Sequence, residues 1–505
     1  APGRFSRIAR RIVPRVQAHP IARPPIAIFP KLIIVASHIA SLHCPAPYRV
    51  MTADPQPAAY RPATDIETLG PGFYDPVQPA DFPMSRLRFR NQRWADRIGL
   101  GVLDEAEWIA HFARFKPLPG SLRQPLALRY HGHQFRTYNP DIGDGRGFLF
   151  AQVRDDTGRL LDLGTKGSGQ TPYSRFGDGR LTLKGGVREL LATEMLEALG
   201  VETSKTFSLI ETGEALERGD EPSPTRSAVL VRLSHGHIRI GTFQRLAYLG
   251  DTEGLTRLTD YVLQRYFADV SGDPVRLLDH VVCATARLAA QYMASGFVHG
   301  VLNTDNINIS GESFDYGPWR FAPQWEPGFT AAYFDHQGLY AFGRQPEAIH
   351  WNLMQLAIAL RPISEAPPMI DVLNRFGAQY QQAITAAFLW RLGVRPRQAA
   401  EDEALLQAIE RALRATATPI ADFFHHSFGG QIGDAGGDDF AEVRSRLALY
   451  AARKARAHSF WTGAPCTMLI EEVERLWASI DRDDDWAPLN AKITAIREFG
   501  SAIAD

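Results

Sequence analysis

The pattern of apolar positions changes character along this chain. Short apolar runs bounded by glycine-rich turns predict strands at residues 148–150, 160–164, 228–233 and 237–242. Apolar residues at helical spacing predict helices at 103–115, 187–199, 255–268 and 276–295, and five or six more between 351 and 496. The sequence therefore predicts a strand-rich first part and a helix-rich second part that meet near residue 245.

The segment 299–317 (HGVLNTDNINISGESFDYG) contains two acidic turns joined by a short apolar run, 307–309, that we predict to be a strand. Protein kinases use a catalytic loop H-R-D-x-x-x-x-N followed by D-F-G, in which the Asn and the second Asp hold metal. Four positions match this pattern: His299, Asn306, Asp315 and Gly317. Asn306 and Asp315 are therefore candidate ligands of a divalent metal ion.

The position that carries the catalytic Asp of a kinase has no carboxylate in this chain. Val301 stands there, and Asp305 is the only nearby carboxylate that could accept a proton in its place. Taken alone, an Asp-Asn turn is a loop more often than an active site. The assignment depends on whether the other parts of a nucleotide site lie upstream.

A glycine-rich turn, 142–147, precedes the predicted strand at 148–150. Gly143, Gly145 and Gly147 would let backbone N–H groups approach phosphate closely. The alternative is a plain hairpin turn. The two histidines just upstream, His131 and His133, lack a Cys or carboxylate at ligand spacing, so we expect hydrogen-bonded structural histidines.

Four charged residues follow in the order expected of a kinase-like nucleotide site. Lys166 comes after an apolar strand and Glu189 lies near the start of a helix, an arrangement that orients phosphate-binding lysines. Helix capping is the alternative for Glu189. Arg232 and Arg239 lie within apolar runs, where arginine is costly unless it meets an anion. A solvated edge strand is the alternative for both arginines.

Composition bounds the class of protein. A chain of 505 residues, with 45% apolar and 22% charged residues, is typical of a globular protein with two or three lobes. The net charge of −1 gives no reason to expect nucleic acid as a partner, and no segment qualifies as a membrane span. We expect a cytoplasmic monomer.

The first fifty residues are rich in arginine and contain no Asp or Glu. We interpret residues 1–55 as a disordered basic leader that precedes the real start at Met51. A mitochondrial presequence is the alternative. The remaining chain divides into an N-terminal lobe with nucleotide-binding strands, 56–245, and a helical C-terminal lobe with the catalytic and metal-binding loops, 246–505.

From residue 130 to 350, a series of motifs in unbroken order resembles the selenoprotein O (YdiU) family of kinase-like protein adenylyltransferases. The matching motifs are YHGHQF, IGDGRG, DLGTKGSGQTPYSRFGDGR, VREL, VLVRLSHGHIRIGTF, HGVLNTDN, FDYGP and EPGFT…DHQGLYAFGRQP. The loop 136–141 (RTYNPD) departs from the small-residue run of the family.

The resemblance implies an α+β, two-lobed protein-kinase-like fold with additional C-terminal helices. ATP would bind in a flipped orientation, and AMP would move to Ser, Thr or Tyr hydroxyls of protein substrates. Transfer of UMP with Mn²⁺ is an alternative. The implied nucleotide contacts are Gly143, Gly145, Arg146, Lys166, Asp178, Gly179, Arg232, Arg239 and Asp315. Glu189 would pair with Lys166, Asn306 and Asp315 would hold Mg²⁺ or Mn²⁺, and Asp305 would accept the proton.

Two other functions stay open. A phosphotransferase of the same fold would move the γ-phosphate, but Val301 counts against it. A catalytically inactive, nucleotide-binding pseudokinase scaffold would need neither metal nor base. Retention of Lys166, Glu189, Asn306 and Asp315 counts against the scaffold.

Overall fold

The structure, a computed structural model, describes residues 58–219, 221–432 and 437–504. The predicted leader, 1–55, lies outside these residues. The strands are β1 (Pro62–Ala63), β2 (Tyr74–Pro76), β3 (Arg86–Arg90), β4 (Leu126–Leu128), β5 (Gly132–Gln134), β6 (Thr137–Asn139), β7 (Leu149–Arg154), β8 (Leu160–Lys166), β9 (Leu181–Thr182), β10 (Lys205–Leu216), β11 (Thr225–Ser234), β12 (Phe297–Val298) and β13 (Arg320–Phe321).

The helices fill most of the chain after β11. They are α1 (Gln92–Arg97), α2 (Glu105–Phe112), α3 (Leu183–Ala198), α4 (Ile240–Leu249), α5 (Thr252–Tyr266), α6 (Pro274–Ser295), α7 (Gln345–Leu360), α8 (Ala366–Asn374), α9 (Phe376–Arg391), α10 (Ala399–Ala415), α11 (Ile420–Ser427), α12 (Ala441–Leu447), α13 (Ile470–Asp483) and α14 (Ala487–Ile503). Short 3₁₀ turns, including Thr304–Asn306, lie between them.

The first lobe is built on an antiparallel sheet in the order β2-β4-β7-β8-β11-β10-β3, with β1 added to β7 and β9 to β11. Alternation along β11 separates two apolar clusters. Val229 and Val231 pack with α1 and α2 on one face, whereas Leu230 packs with α3 on the other. The helices after β11 form the second lobe around α6, so the α+β, two-lobed kinase-like fold expected from the sequence is confirmed.

The register between β8 and β11 positions the charged side chains of the sheet. Lys166 lies opposite Leu230, and Arg232 lies opposite Gly164. Because residues two apart on a strand share a face, Lys166 and Arg232 are diagonal neighbours on the face that α3 covers. Gly164 leaves room there, since a Cβ at this position would come within 2.2 Å of the His237 ring.

The C-terminal helices return to the first lobe. Arg497 on α14 pairs with Glu194 on α3 at 2.8 Å, and Lys184 on α3 pairs with Glu474 on α13 at 2.7 Å. Asp484, which ends α13 in the left-handed conformation, pairs with Arg226 of β11 at 2.7 Å. Helices of the last part of the chain therefore buttress α3 and the sheet edge.

Two predicted strands are wrong. Residues 237–239 form a loop that leads into α4, which begins at Ile240. The Arg239 N–H donates to the Thr242 hydroxyl at this helix start and not to a neighbouring strand. The predicted strand at 307–309 is likewise a loop. The two segments pair only through an isolated bridge between Arg239 and Asn308.

The other predicted elements are confirmed with shifted ends, as β7, β8, β11, α2, α3, α5 and α6. The number of later helices was underestimated: after β13, the part of the chain that the structure describes contains eight, α7 to α14. Among the described helices, none combines the length and the apolar character that a membrane crossing requires.

Candidate active site

Lys166 and Glu189 form a buried ion pair between the sheet and α3. Lys166 Nζ donates to Glu189 Oε2 at 2.7 Å, and the two residues are 4% and 1% exposed. Because α3 begins at Leu183, where Thr182 caps it, Glu189 lies in the second turn and cannot be a surface cap. The predicted pairing is therefore present in the structure.

Asp315 stands at the centre of a group of cations. Its Oδ1 lies 3.2 Å from Lys166 Nζ and 3.5 Å from Arg232 Nη1, and its Oδ2 lies 3.3 Å from Arg239 Nη1. We call these residues with Glu189 the charged cluster: Lys166, Glu189, Arg232, Arg239 and Asp315. Burial would raise the pKa of the Asp315 carboxyl, but Lys166 and the arginines hold it well below its ordinary value, so Asp315 is ionised.

The backbone at Asp315 is in the left-handed region, with φ of 63°, which costs a non-glycine residue about 1–3 kcal/mol. His299 helps to hold this turn, since its Nε2 lies 2.9 Å from the carbonyl oxygen of Phe314. A quarter of the Asp315 side chain, 24%, is accessible. The turn thus presents an ionised carboxylate to the space between the lobes.

Arg239 joins three parts of the site. One guanidinium nitrogen donates to the Asp305 carbonyl oxygen at 2.8 Å, and the other lies 3.2 Å from Asp144 Oδ1. The group also lies 4.4 Å from the ring centroid of Tyr130. Burial would lower the pKa of Arg239, but Tyr130 and the carboxylates of Asp144, Asp315 and Asp305 hold it above its ordinary value. In both arginines predicted to meet an anion, Arg232 and Arg239, Nε has no hydrogen-bond partner among the described residues.

Asp305 is 8% exposed and has one weak hydrogen bond. Its Oδ2 accepts from Gln134 Nε2 at 3.5 Å, and its Oδ1 has no partner among the residues that the structure describes. Burial raises the pKa of Asp305 to about 6, against the opposing effect of Arg239. A carboxylate with a pKa near neutral and a free oxygen is suited to accept a proton.

Asn306 offers an oxygen for a metal ion. Its Nδ2 donates to the Val301 carbonyl oxygen at 3.0 Å, which fixes the amide and leaves the side-chain oxygen as the free acceptor. Carboxylate and amide oxygens are the ligands that Mg²⁺ takes when substrate phosphates and water complete its shell. Within the described ranges no group of three or more His, Cys, Asp or Glu could hold a metal by itself. The side chains of Asn306 and Asp315 fit a metal that a nucleotide also ligates.

The glycine-rich turn lies against the loop that follows β8. A Cβ on Gly143 would come within 2.5 Å of the Tyr173 ring, and one on Gly147 within 2.0 Å of the Thr165 carbonyl oxygen. Gly145 is less restricted, since its nearest contact, the Tyr173 carbonyl oxygen, lies at 3.0 Å. Glycine at 143 and 147 is therefore needed for close packing, whatever else the turn binds.

Arg146, Asp178 and Gly179 are predicted nucleotide contacts whose placement differs. Arg146 is exposed, and its charge contributes to the low pKa of Asp315. Asp178 instead pairs with Arg218 at 2.8 Å, and no hydrogen bond or ion pair between described residues joins it to the charged cluster. Gly179 has φ of 70° and accepts a backbone hydrogen bond in the same loop. Their contact with nucleotide stays a prediction.

A hairpin that no sequence pattern predicts supports the loop carrying Asp305. Strands β5 and β6 are joined by two residues with positive φ, Phe135 and Arg136, as in the tight turns of hairpins. The Phe135 N–H donates to Asn303 Oδ1 at 3.0 Å, and the His133 N–H donates to Thr304 Oγ1 at 2.7 Å. The motif YHGHQF, together with RTYNPD, is therefore a support for residues 303–305.

Both histidines of that hairpin have ordinary hydrogen-bond partners, as expected of structural residues. His131 Nδ1 lies 2.8 Å from the Tyr138 hydroxyl, and His133 Nδ1 lies 2.7 Å from Gln244 Nε2. Gln244 also accepts from the Thr304 hydroxyl at 2.6 Å. Burial lowers the pKa of both histidines, which keeps them neutral.

Comparison with known proteins shows which family the sequence of this chain matches. A protein-family model described as "Protein adenylyltransferase SelO" matches residues 57–459. The chain is 42% identical over 483 residues to the protein nucleotidyltransferase YdiU of Synechococcus elongatus, covering 88% of this chain and 96% of that protein. It is 50% identical over 343 residues to the protein of the same name from Synechocystis (66% and 71% covered), and 35% identical over 362 residues to that of Vibrio parahaemolyticus (70% and 72% covered).

Proposed function

We propose that this chain, which belongs to the SelO family of protein adenylyltransferases, moves AMP from ATP to Ser, Thr or Tyr hydroxyls of protein substrates. One observation carries the proposal. The site combines three buried cations around an ionised carboxylate, Asp315, with a separate carboxylate of raised pKa, Asp305. The position at which a kinase carries its catalytic Asp is occupied by Val301.

The cations of the charged cluster have the chemistry to bind a triphosphate. Lys166, Arg232 and Arg239 are each no more than 4% exposed, so their interaction with phosphate oxygens would be weakly screened. Arg146, an exposed residue of the glycine-rich turn, adds a fourth positive charge. Guanidinium groups suit phosphate because two of their N–H groups can engage two oxygens at once.

Asn306 and Asp315 would hold Mg²⁺ or Mn²⁺. When bound, the metal would neutralise charge on the phosphate oxygens and so assist attack at phosphorus. Asn306 keeps its orientation through the Val301 carbonyl, and Asp315 keeps its charge through Lys166 and the arginines. Asn306 is thus held by a backbone group and Asp315 by side chains of this protein.

In the proposed reaction, ATP lies with its α-phosphate toward the acceptor. The acceptor hydroxyl oxygen forms a bond to the α-phosphorus, the bond from that phosphorus to the bridging oxygen breaks, and pyrophosphate leaves. Asp305 takes the hydroxyl proton, since burial raises the pKa of its carboxyl to about 6. Gln134 and the β5–β6 hairpin keep the Asp305 loop in position.

Labelled nucleotides test this proposal against its alternatives. The protein is incubated with Mg²⁺, a mixture of candidate acceptor proteins, and ATP labelled on either the α- or the γ-phosphate. We expect label on protein from the α-position only. Label from γ only would indicate a phosphotransferase, and label from neither would indicate a nucleotide-binding scaffold. Replacing ATP and Mg²⁺ by UTP and Mn²⁺ in the same assay tests UMP transfer.

A further inference from the structure

The helical lobe contains a small cavity that shares no lining residue with the candidate active site. It lies between α9, α11, the segment 460–466 and α14, and it has about 20 Å³ of water-accessible space. This is enough for one particle of roughly the size of water. Its lining combines aromatic rings with three polar side chains: Arg391, His425 and Cys466.

Arg391, the last residue of α9, is a buried cation without a counter-ion. It is 6% exposed, and no carboxylate of the described residues pairs with it or shifts its pKa. Its Nη1 donates to the Ala294 carbonyl oxygen at the end of α6, its guanidinium carbon lies 4.0 Å from the Phe424 ring centroid, and its Nε has no partner. Burial lowers the pKa of Arg391 to about 9.

His425 faces the same cavity, and among the described residues only backbone carbonyls approach its ring nitrogens. It is 4% exposed, and neither ring nitrogen makes a hydrogen bond of acceptable geometry to a described residue, although the carbonyls of Trp461 and Gly463 lie near. Burial lowers the pKa of His425, and the neighbouring His426 and Arg456 side chains lower it further.

The surroundings add positive charge, and the carboxylate that acts on the cavity-lining Cys466, Glu472, is already paired with Lys492 at 2.6 Å. Arg456 donates to the carbonyl oxygens of His426 and Trp461 and forms no ion pair with a described carboxylate. The one acidic group that faces the cavity, the Cys466 thiol, has its pKa raised by burial and is therefore uncharged. Elsewhere in this molecule buried arginines do meet carboxylates, as Arg232 and Arg239 meet Asp315.

A buried cation that lacks a counter-charge destabilises the folded state unless an anion compensates it. We propose that this cavity binds one small monovalent anion, of the size and charge of chloride, between Arg391 and His425. The free guanidinium N–H groups and a ring N–H of His425 would donate to it. The cavity shares no lining residue with the candidate active site, so the site is independent of the proposed function.

Two measurements on the full chain test the proposal. The first is thermal unfolding in sodium chloride against sodium gluconate at constant ionic strength, for the wild type, for Arg391→Met and for Arg361→Met. Arg361 is a control in the same lobe because its side chain is 44% exposed and has only local contacts: a hydrogen bond to the Ser364 carbonyl oxygen and a 3.9 Å contact with Glu365. We expect chloride to raise the Tm of the wild type and of Arg361→Met saturably, on the order of 2 °C, and to leave Arg391→Met unchanged.

The second measurement is anomalous diffraction from crystals grown with bromide, in which we expect a peak between Arg391 and His425. An equal chloride response in all three proteins would overturn the proposal, and so would an empty cavity or one that holds water only. A bromide peak without a chloride response would mean binding at crystal concentration only and would also overturn it. If Arg391→Met does not fold, His425→Phe replaces it, with the same expected loss of the chloride response.

Discussion

Lys166 Nζ lies 3.2 Å from Asp315 Oδ1, so the candidate phosphate-binding lysine is paired with the candidate metal ligand. The same lysine donates to Glu189, and two arginines complete the shell around Asp315. In this arrangement the carboxylate occupies the cations that a triphosphate would need. Binding of nucleotide with metal would therefore change the partners within the cluster. The cations would pair with phosphate instead of Asp315, and Asp315 would ligate the metal.

The first prediction concerns Asp315→Asn. The variant lacks the negative charge that competes with phosphate for Lys166 and the arginines. We therefore expect metal-free ATP to bind to the variant at least as tightly as to the wild type. The gain in affinity on adding Mg²⁺ should disappear, and transfer with it, because a metal ligand is lost. Calorimetric titration with ATP, in EDTA and in Mg²⁺, measures both effects. Asp81→Asn, at a side chain that is 99% exposed, is the control. An undiminished response to Mg²⁺ in Asp315→Asn would contradict the metal assignment.

The second prediction concerns Lys166→Met. Removal of one positioned cation should lower the transfer rate by about 10²–10³-fold. The protein should still unfold in one cooperative thermal transition, because Arg232 Nη1 lies 3.6 Å from Glu189 Oε1 and compensates part of its charge. Lys166→Arg keeps the charge and separates the two roles: we expect its Tm to stay near that of the wild type while its activity stays low. Loss of the folded state in both variants would show that Lys166 is mainly structural.

The third prediction concerns the hairpin beneath the Asp305 loop. A Cβ on Gly132 would lie 3.0 Å from Asp305 Cβ and Oδ1 and 3.2 Å from Ile142 Cδ1. Gly132→Ala should therefore shift Asp305 by a few tenths of an ångström and lower turnover, with little effect on ATP affinity. Gly72→Ala is the matched control, since nothing lies within 4 Å of its added Cβ. Equal turnover in the two variants would show that the loop position does not matter at this scale.

Part of the site could be predicted from sequence because its signals are local. Lys166 ends an apolar run that is a strand by itself, and Glu189 lies on a helix with its own apolar periodicity. Their order along the chain is sufficient to suggest a pair. The diagonal placement of Arg232 beside Lys166 depends on the register between two strands more than 60 residues apart in sequence, which no local pattern encodes.

Other parts were mistaken or missed for identifiable reasons. The alternation of apolar residues in 237–242 favours a strand, but the helical run of α4 begins within it and only one bridge to Asn308 forms. The contact of Asp144 with Arg239 joins a turn of the first lobe to the start of α4, and the β5–β6 hairpin joins YHGHQF to residues 303–305. Contacts of this kind, between segments distant in the chain, appear only in the folded structure.

The last prediction concerns Asp305→Asn and has two independent measurements. The first is turnover with nucleotide and metal, which we expect to fall by about 10²–10⁴-fold, because Asn keeps the shape of the side chain and cannot accept a proton. ATP affinity should change little, since the metal ligands are Asn306 and Asp315 in our proposal. Near-normal turnover in this variant would rule out Asp305 as the proton acceptor.

The second measurement is the free energy of unfolding without nucleotide or metal, as a function of pH. Folding raises the pKa of Asp305 from its ordinary 3.8 to about 6, so the ionised form is disfavoured in the folded state. Below about pH 4 the group is protonated in both states and costs nothing; as the pH rises through 6, stability is lost. Two pKa units correspond to about 3 kcal/mol. Asp305→Asn, uncharged at every pH, should therefore be more stable than the wild type at pH 7 by up to about 3 kcal/mol and equal to it near pH 3. A pH-independent difference would show that the carboxylate is not strained by burial, and the case for a proton acceptor with a raised pKa would fail with it.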